Sequence, residues 1–275
     1  MRLEGARIVL SGAGSGIGRA LAHGLAERGA RTILIDRNDE GLRETAAGLA
    51  GQHSLHVFDV TDAGAVERLT REVADRHGAV DGLINNAGIA VSGGFEDTSE
   101  ADFDRCMAVN FQATVRLTRL FLPLVRADAH PGAKRSEQRR IVNVSSVFGL
   151  IGPLGQSAYS ASKFAVSGFS QSLRADLYGT GIGVSVVYPG GVATNIARAA
   201  LVPDAMTQPE REHRLEVADK LLVMPPARAA RTILRGIERG RDRIVIGRDA
   251  HAGDLVSRVL PNGYAALIRR MGVEL

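Results

Sequence analysis

Seven short apolar runs rich in β-branched residues recur along this chain of 275 residues, and they constrain its fold more than any other feature. They are RIVLS (7–11), RTILI (31–35), SLHVF (54–58), GLIN (82–85), RIVNVS (140–145), GVSVVY (183–188) and RIVIG (243–247). Between most of them lie amphipathic segments of helical period, such as RALAHGLAERG (19–29) and VERLTREVADRHG (66–78). Short apolar strands alternating with helices predict an α/β fold: a doubly wound parallel sheet, helices on both faces, right-handed crossovers. No internal repeat, low-complexity tract or linker divides the chain, so residues 1–275 read as a single domain.

Two stretches break the rhythm. Residues 195–226 form a long excursion between the sixth and seventh strands, the kind of segment that serves as a substrate lid or carries short helices of its own. Beyond the seventh strand lies a C-terminal extension, 248–275. Within it LVSRVLPNGYAALIRRMG (255–272) reads as two short amphipathic helices around a Pro-Asn-Gly turn. Three uses compete for it: a cover for the lower edge of the sheet, an oligomer contact, or a membrane-surface helix with Arg258, Arg269 and Arg270 at lipid headgroups. Packing or assembly is favoured, because a short apolar stripe is normally buried.

Composition excludes several classes. Net charge is only +4 and the arginines are scattered; the densest cluster, AKRSEQRR (133–140), reads as a solvated basic loop. Aromatic residues make up 4% and Trp is absent, so stacking surfaces for single-stranded nucleic acid are scarce and none is expected to bind. One cysteine, Cys106, permits no internal disulfide and fits a reducing compartment; it reads as a small buried apolar residue in a helix. The N-terminal segment lacks the arrangement of a signal peptide, and no apolar stretch approaches the ~20 residues that span a bilayer. The expectation is a cytoplasmic protein without a transmembrane segment.

SGAGSGIG (11–18) follows the first strand and opens the first helix. Gly12, Gly16 and Gly18 permit a tight turn, a close backbone approach and close helix packing, while Ser15, Gly16, Ile17 and Gly18 bring free N–H groups toward a pyrophosphate. No lysine of a triphosphate-binding loop is present. Asp36 ends the second strand eighteen residues after Gly18. A carboxylate there accepts hydrogen bonds from both ribose hydroxyls and repels a 2′-phosphate, which favours NAD(H) over NADP(H). Arg37 follows, placed to meet a phosphate or stack on adenine.

YSASK (159–163) sets a phenol and an amine four residues apart, in a chain with only three lysines and four tyrosines. On a helix over 159–179, supported by Val166, Phe169, Leu173 and Leu177 at helical spacing, Tyr159 and Lys163 stand side by side. A phenol is a poor base at neutral pH; a neighbouring ammonium is expected to lower its pKa. Ser146 lies thirteen residues upstream at the end of the fifth strand, where sheets of this kind place their ligands.

With NNAG (85–88), Asn110, Ser146, YSASK and PGGVAT (189–194) in order after the glycine loop and DV (59–60), the chain resembles the short-chain dehydrogenase/reductase family, in its short single-domain branch, over about residues 3–247. The resemblance implies a Rossmann-type seven-stranded sheet and a catalytic tetrad. In it Tyr159 is the acid/base, and Lys163 tunes Tyr159 and holds the nicotinamide ribose. Ser146 bonds the substrate oxygen, and Asn110 holds a water of the proton relay. It further implies that Asp59 and Val60 meet adenine, that Asn86, Ala87 and Gly88 line the cofactor, and that Pro189, Gly190, Val192 and Thr194 meet the nicotinamide amide. Ser11 stands where a threonine is common, and its hydroxyl is expected to serve similarly. A homotetramer or homodimer is the implied assembly.

Residues 147–156, 192–196 and the excursion are expected to line the substrate site. They offer Phe148, Leu150, Ile151, Leu154 and Ile196, with Gln156 the main polar group, which suits an apolar secondary alcohol or ketone. Arg198 could meet an acidic group but more commonly such a residue faces solvent. Two other functions compete: a nucleotide-sensing regulator without chemistry, against which Ser146, Tyr159 and Lys163 all argue, and an isomerase or epimerase, whose differently spaced glycine loop and larger C-terminal domain are absent.

Overall fold

A computed structural model describes residues 1–264. All seven expected strands form, each within a residue of its expected ends: β1 (Arg7–Ser11), β2 (Arg31–Asp36), β3 (His53–Val57), β4 (Gly82–Asn85), β5 (Arg139–Val144), β6 (Ile182–Pro189) and β7 (Arg243–Ile246). They pair in parallel in the order β3-β2-β1-β4-β5-β6-β7. The order reverses between β1 and β4, and the crevice above the carboxyl ends of those two strands is where a doubly wound sheet takes its ligand.

The helices are α1 (Gly16–Ala26), α2 (Asp39–Ala47), α3 (Ala63–His77), α4 (Glu100–Met107), α5 (Ala113–Ala127), α6 (Ser157–Asp176), α7 (Gln208–Leu221), α8 (Pro226–Glu238) and α9 (Arg248–Val259). One face of the sheet buries Leu21, Leu25, Ile233, Leu234 and Ile237 of α1 and α8. The other buries Val66, Leu69, Leu117, Phe121 and Val125 of α3 and α5. Each such side chain contributes about 1.5–3 kcal/mol by leaving water. Because helices cover both faces, β6 is buried at all eight positions, as a central parallel strand should be. The edge strand β3 alternates instead, with Leu55 and Val57 exposed.

Helix starts follow local chemistry. Asn38, Asp62 and Ser99 accept hydrogen bonds from backbone N–H groups of α2, α3 and α4, and Thr207 with Glu210 forms a capping box on α7. The start of α1 has no side-chain cap.

Three expectations need correction. The basic cluster 133–140 is only partly a solvated loop, for Arg139 and Arg140 begin β5. Arg140 is fully buried, donating to the Ser185 hydroxyl and to the carbonyls of Arg135 and Arg241, with Asp242 3.7 Å away. A guanidinium is tolerated there because those acceptors replace water. Of the extension, the first helix begins earlier than 255: α9 starts directly after β7, a turn follows at 261–263, and the second expected helix, with Arg269 and Arg270, lies outside the described residues. Nor does α9 cover the sheet's lower edge. Gly253 packs against Val147 and Ile151, at the carboxyl end of the sheet beside β5.

Candidate active site

The glycine loop is shaped by close approach. Gly12 has φ +69°, and a Cβ there would sit 2.8 Å from the Ala87 backbone; a Cβ on Gly18 would strike the Gly12 carbonyl. Ser11 links the two switch-point strands, since its buried hydroxyl accepts hydrogen bonds from the N–H groups of Asn86 (3.1 Å) and Ala87 (3.2 Å). Asn86 returns the link by donating to the Ser11 and Gly12 carbonyls. With no cap and no acid in the first turn of α1, the N–H groups at Gly16–Gly18 remain available to an anion, and the dipole favours one. Ile17 packs on the core, Ser15 is exposed, and Thr194 overhangs Gly16.

Asp36 does more than was expected. One carboxylate oxygen accepts from Gly14 N (2.8 Å), the other from Asn38 N (2.9 Å), so Asp36 also fixes the loop and the turn into α2. Arg19 and Thr45, neither anticipated, brace the same loop: Arg19 donates to the Gly14 carbonyl (2.7 Å) and Thr45 to that of Ala13 (3.0 Å). Arg19 directly follows Gly18, which is the only signal the sequence offered for it. Burial would raise the Asp59 carboxyl. Thr61, through its N–H and hydroxyl, and the fields of Arg37 and Arg105 outweigh that and hold it below the usual range. Val60 beside it is buried.

A groove of about 990 Å³ runs from Gly14, Ser15, Gly16 and Thr194 outward between α1, α2, α7 and α8. It holds none of the tetrad.

The tetrad converges at the carboxyl ends of β4 and β5. Asn110, Ser146, Tyr159 and Lys163 are all buried. Tyr159 and Lys163 share a face of α6, with Lys163 Nζ 5.6 Å from the Tyr159 ring centroid and donating to the Val144 carbonyl (3.1 Å). Phe148 meets the Tyr159 ring edge-on at 6.0 Å. Ser146 caps the short turn Val147–Gly149 by accepting from Phe148 N.

Asn110 lies in a single π-helical turn, Ala108–Gln112, between α4 and α5. Its amide is fully engaged: Oδ1 accepts from Ile89 N (2.8 Å), and Nδ2 donates to the Ile89 carbonyl (2.9 Å) and Ser162 Oγ (2.9 Å). Ser162, within YSASK but not singled out, donates in turn to the Tyr159 carbonyl (2.7 Å). Gly88 sits where a Cβ would lie 3.1 Å from Asn110 Oδ1 and 3.3 Å from Lys163 Nζ, so the strand-end loop, the π turn and the dyad meet at one glycine.

One electrostatic expectation fails. Lys163 was expected to lower the Tyr159 pKa; burial instead pushes the phenol up to about 12, against the pull of a hydrogen bond with Ser146. Burial also brings Lys163 down to about 8. Desolvation of the charged form is the largest cause for each group, so the phenol carries its proton at neutral pH.

The surroundings of Tyr159 are apolar: Val91, Phe103, Phe148, Ile196 and Leu201 pack with it. The excursion reaches the site through backbone pairing. Leu201 N donates to the Ala90 carbonyl and Ser92 N to that of Leu201, while Val192 and Met224 bridge at its base. Gln156 does not open into the site as expected; it is buried and donates to Ser92 Oγ (3.1 Å). Leu154 points outward, and Arg198 donates from Nη2 to both carboxylate oxygens of Asp219 on α7. Ile151 is buried, Pro189 ends β6, and Gly190 and Val192 lie in the turn after it.

Known proteins resemble this chain in sequence and in fold. A family model described as short chain dehydrogenase matches residues 6–202. SadH of Mycobacterium tuberculosis, named as a putative oxidoreductase, is 39% identical over 271 residues, 96% of this chain and 94% of its own. FabG of Vibrio cholerae, named as a 3-oxoacyl-(acyl-carrier-protein) reductase, is 33% identical over 199 residues, 72% of this chain and 78% of its own. A short-chain dehydrogenase from Streptomyces avermitilis superposes with a TM-score of 0.80 at 28% identity, covering 99% of each chain. A short chain dehydrogenase/reductase from Burkholderia phymatum, solved in complex with NAD, superposes at 0.81 with 27% identity, covering 97% of this chain and 96% of its own.

Proposed function

Because the chain belongs to the short-chain dehydrogenase/reductase family and is an oxidoreductase of that family, we propose that it interconverts an apolar secondary alcohol and the corresponding ketone, with NAD(H) preferred over NADP(H). The observation that carries this reading is the burial of Tyr159, Ser146 and Lys163 together against an apolar wall of Val91, Phe103, Phe148, Ile196 and Leu201.

The residues fit a dinucleotide. The uncapped start of α1 and the cradle at Gly12 and Gly18 suit a pyrophosphate, Asp36 the adenosine ribose, and Asp59 with Val60 the adenine. Tyr159 and Lys163 would hold the nicotinamide ribose, and Pro189–Thr194 with Asn86–Gly88 the remainder. When bound, the nicotinamide supplies or accepts a hydride and carries a positive charge in its oxidised form.

In reduction, Tyr159 donates its phenolic proton to the carbonyl oxygen as negative charge grows there, and Ser146 gives that oxygen a second hydrogen bond. A phenol still protonated up to a pH of about 12 is ready for this direction. In oxidation Tyr159 takes the hydroxyl proton as phenolate, and Lys163 is the protein cation nearest to favour that form. Asn110 keeps the π turn, Ile89 and, through Ser162, the backbone of Tyr159 in register; a water held there for proton return is part of this proposal.

Residues 195–226 serve as the lid, and an assembly of two or four copies is supported by Phe164, which stands 44% exposed on α6. Among the described residues no helix is long and apolar enough to cross a membrane; with Cys106 buried and free, a cytoplasmic site of action is proposed.

The test is NADH formation against a panel of apolar secondary alcohols, with NADP⁺ in parallel. Tyr159→Phe should bind NADH as the wild type does and lose turnover; unchanged turnover refutes the assignment. Turnover with NADP⁺ alone refutes the role given to Asp36.

A further inference from the structure

The helix that follows β7 touches both loops that flank the reaction site. Gly253 packs on Val147 and Ile151, and Gly152 N donates to the Tyr264 hydroxyl (3.2 Å), so α9 and the turn beyond it lie against the 147–152 segment. At its other end, Asp249 accepts a hydrogen bond of 2.6 Å from Gly191 N, in the middle of PGGVAT. The carboxylate fills a space left by two glycines: a Cβ on Gly190 or on Gly247 would strike it. The same turn is held by Gly190 N donating to the Ile246 carbonyl and Met224 N donating to the Gly191 carbonyl.

We propose that Asp249 is a positioning residue for cofactor binding: by accepting from Gly191 N it fixes the 189–194 turn in the form that receives the nicotinamide end of the dinucleotide. This inference rests on the proposed reading of 189–194 as a cofactor contact. The opposing explanation is local. An acidic side chain in the first turn of α9 interacts favourably with the helix dipole and needs no other purpose. That explanation predicts a loss of stability and no change in cofactor affinity.

The two separate by experiment on the full chain, with NADH as the probe and its fluorescence on binding as the readout. Asp249→Ala should weaken NADH binding about tenfold, equivalent to about 1.4 kcal/mol. Asp249→Asn, which retains an acceptor oxygen in the same place, should stay within about threefold of the wild type. Amide exchange over 189–194 in the cofactor-free chain should quicken in the alanine variant and not in the asparagine variant. Should Asp249→Ala unfold, Asp249→Ser takes its place, since its hydroxyl suits a helix start and is too short to reach Gly191. Wild-type affinity in the folded alanine or serine variant overturns the role of Asp249, as does equal weakening in the asparagine variant. A wild-type chain that binds neither NADH nor NADPH overturns the cofactor reading itself, and this inference with it.

Discussion

Removing the Ser11 hydroxyl should loosen the switch point of the sheet. That oxygen is the acceptor for two backbone N–H groups, Asn86 at 3.1 Å and Ala87 at 3.2 Å, and Ser11 is 1% exposed. In Ser11→Ala both donors lose their partner beside a side chain that is itself buried. An orphaned buried donor costs about 1–3 kcal/mol. Both bonds are long and both donors belong to partly buried residues, so the low end applies and the loss is about 2 kcal/mol. Unfolding entropy of about 2.1 cal/mol/K per residue over 275 residues converts this to a fall in Tm of about 3–4 °C. Urea denaturation of wild type, Ser11→Ala and Ser11→Thr measures it. Threonine restores the oxygen and should recover all but about 0.5 kcal/mol. NADH affinity should fall with stability in the alanine variant, because Asn86 and Gly12 lose their common anchor. An alanine variant within about 0.5 kcal/mol of the wild type, or a threonine variant as weak as the alanine, would refute the reasoning.

Other consequences are equally open to measurement. Lys163 has its pKa lowered from 10.5 to about 8, so between those values the unfolded chain binds more protons and stability rises with pH; the stability gap between Lys163→Met and wild type, read from urea midpoints, should shift in favour of the wild type between pH 8 and 10, and a gap independent of pH would count against a buried charged lysine. Tyr159, raised from 10 to about 12, works oppositely, and its contribution is lost as pH climbs through that window. Asn110→Asp keeps the acceptor for Ile89 N and sets an oxygen against the Ile89 carbonyl, so turnover should fall by more than about tenfold with stability lower by about 2–4 kcal/mol; normal kinetics would show the amide pairing to be dispensable. Gly18→Ala forces a methyl into the Gly12 carbonyl and should abolish NADH binding, a result checked by titration on whatever folded protein is recovered.

Much of this was legible in the chain itself. Continuous apolar runs between segments of period 3.6 placed every strand, because apolar strands buried on both faces leave an unmistakable run, and β6 is apolar along nearly its whole length. Glycine spacing, Asp36 and the Tyr159–Lys163 pair could be read because their geometry is local: a turn, a strand end, one helical turn. What lay beyond reach was whatever depended on two segments distant in sequence. Gln156 reads as a polar lining residue until the fold brings Ser92 beside it. Arg140 reads as part of a basic loop until Asp242, the Ser185 hydroxyl and two carbonyls surround it. No pattern in the extension announces Asp249, since its partner Gly191 is 58 positions away. The phenol's pKa is the clearest instance. Sequence supplies the ammonium four residues on, yet the sign of the shift follows from how completely the fold strips water from both groups, and desolvation is a property of tertiary packing alone.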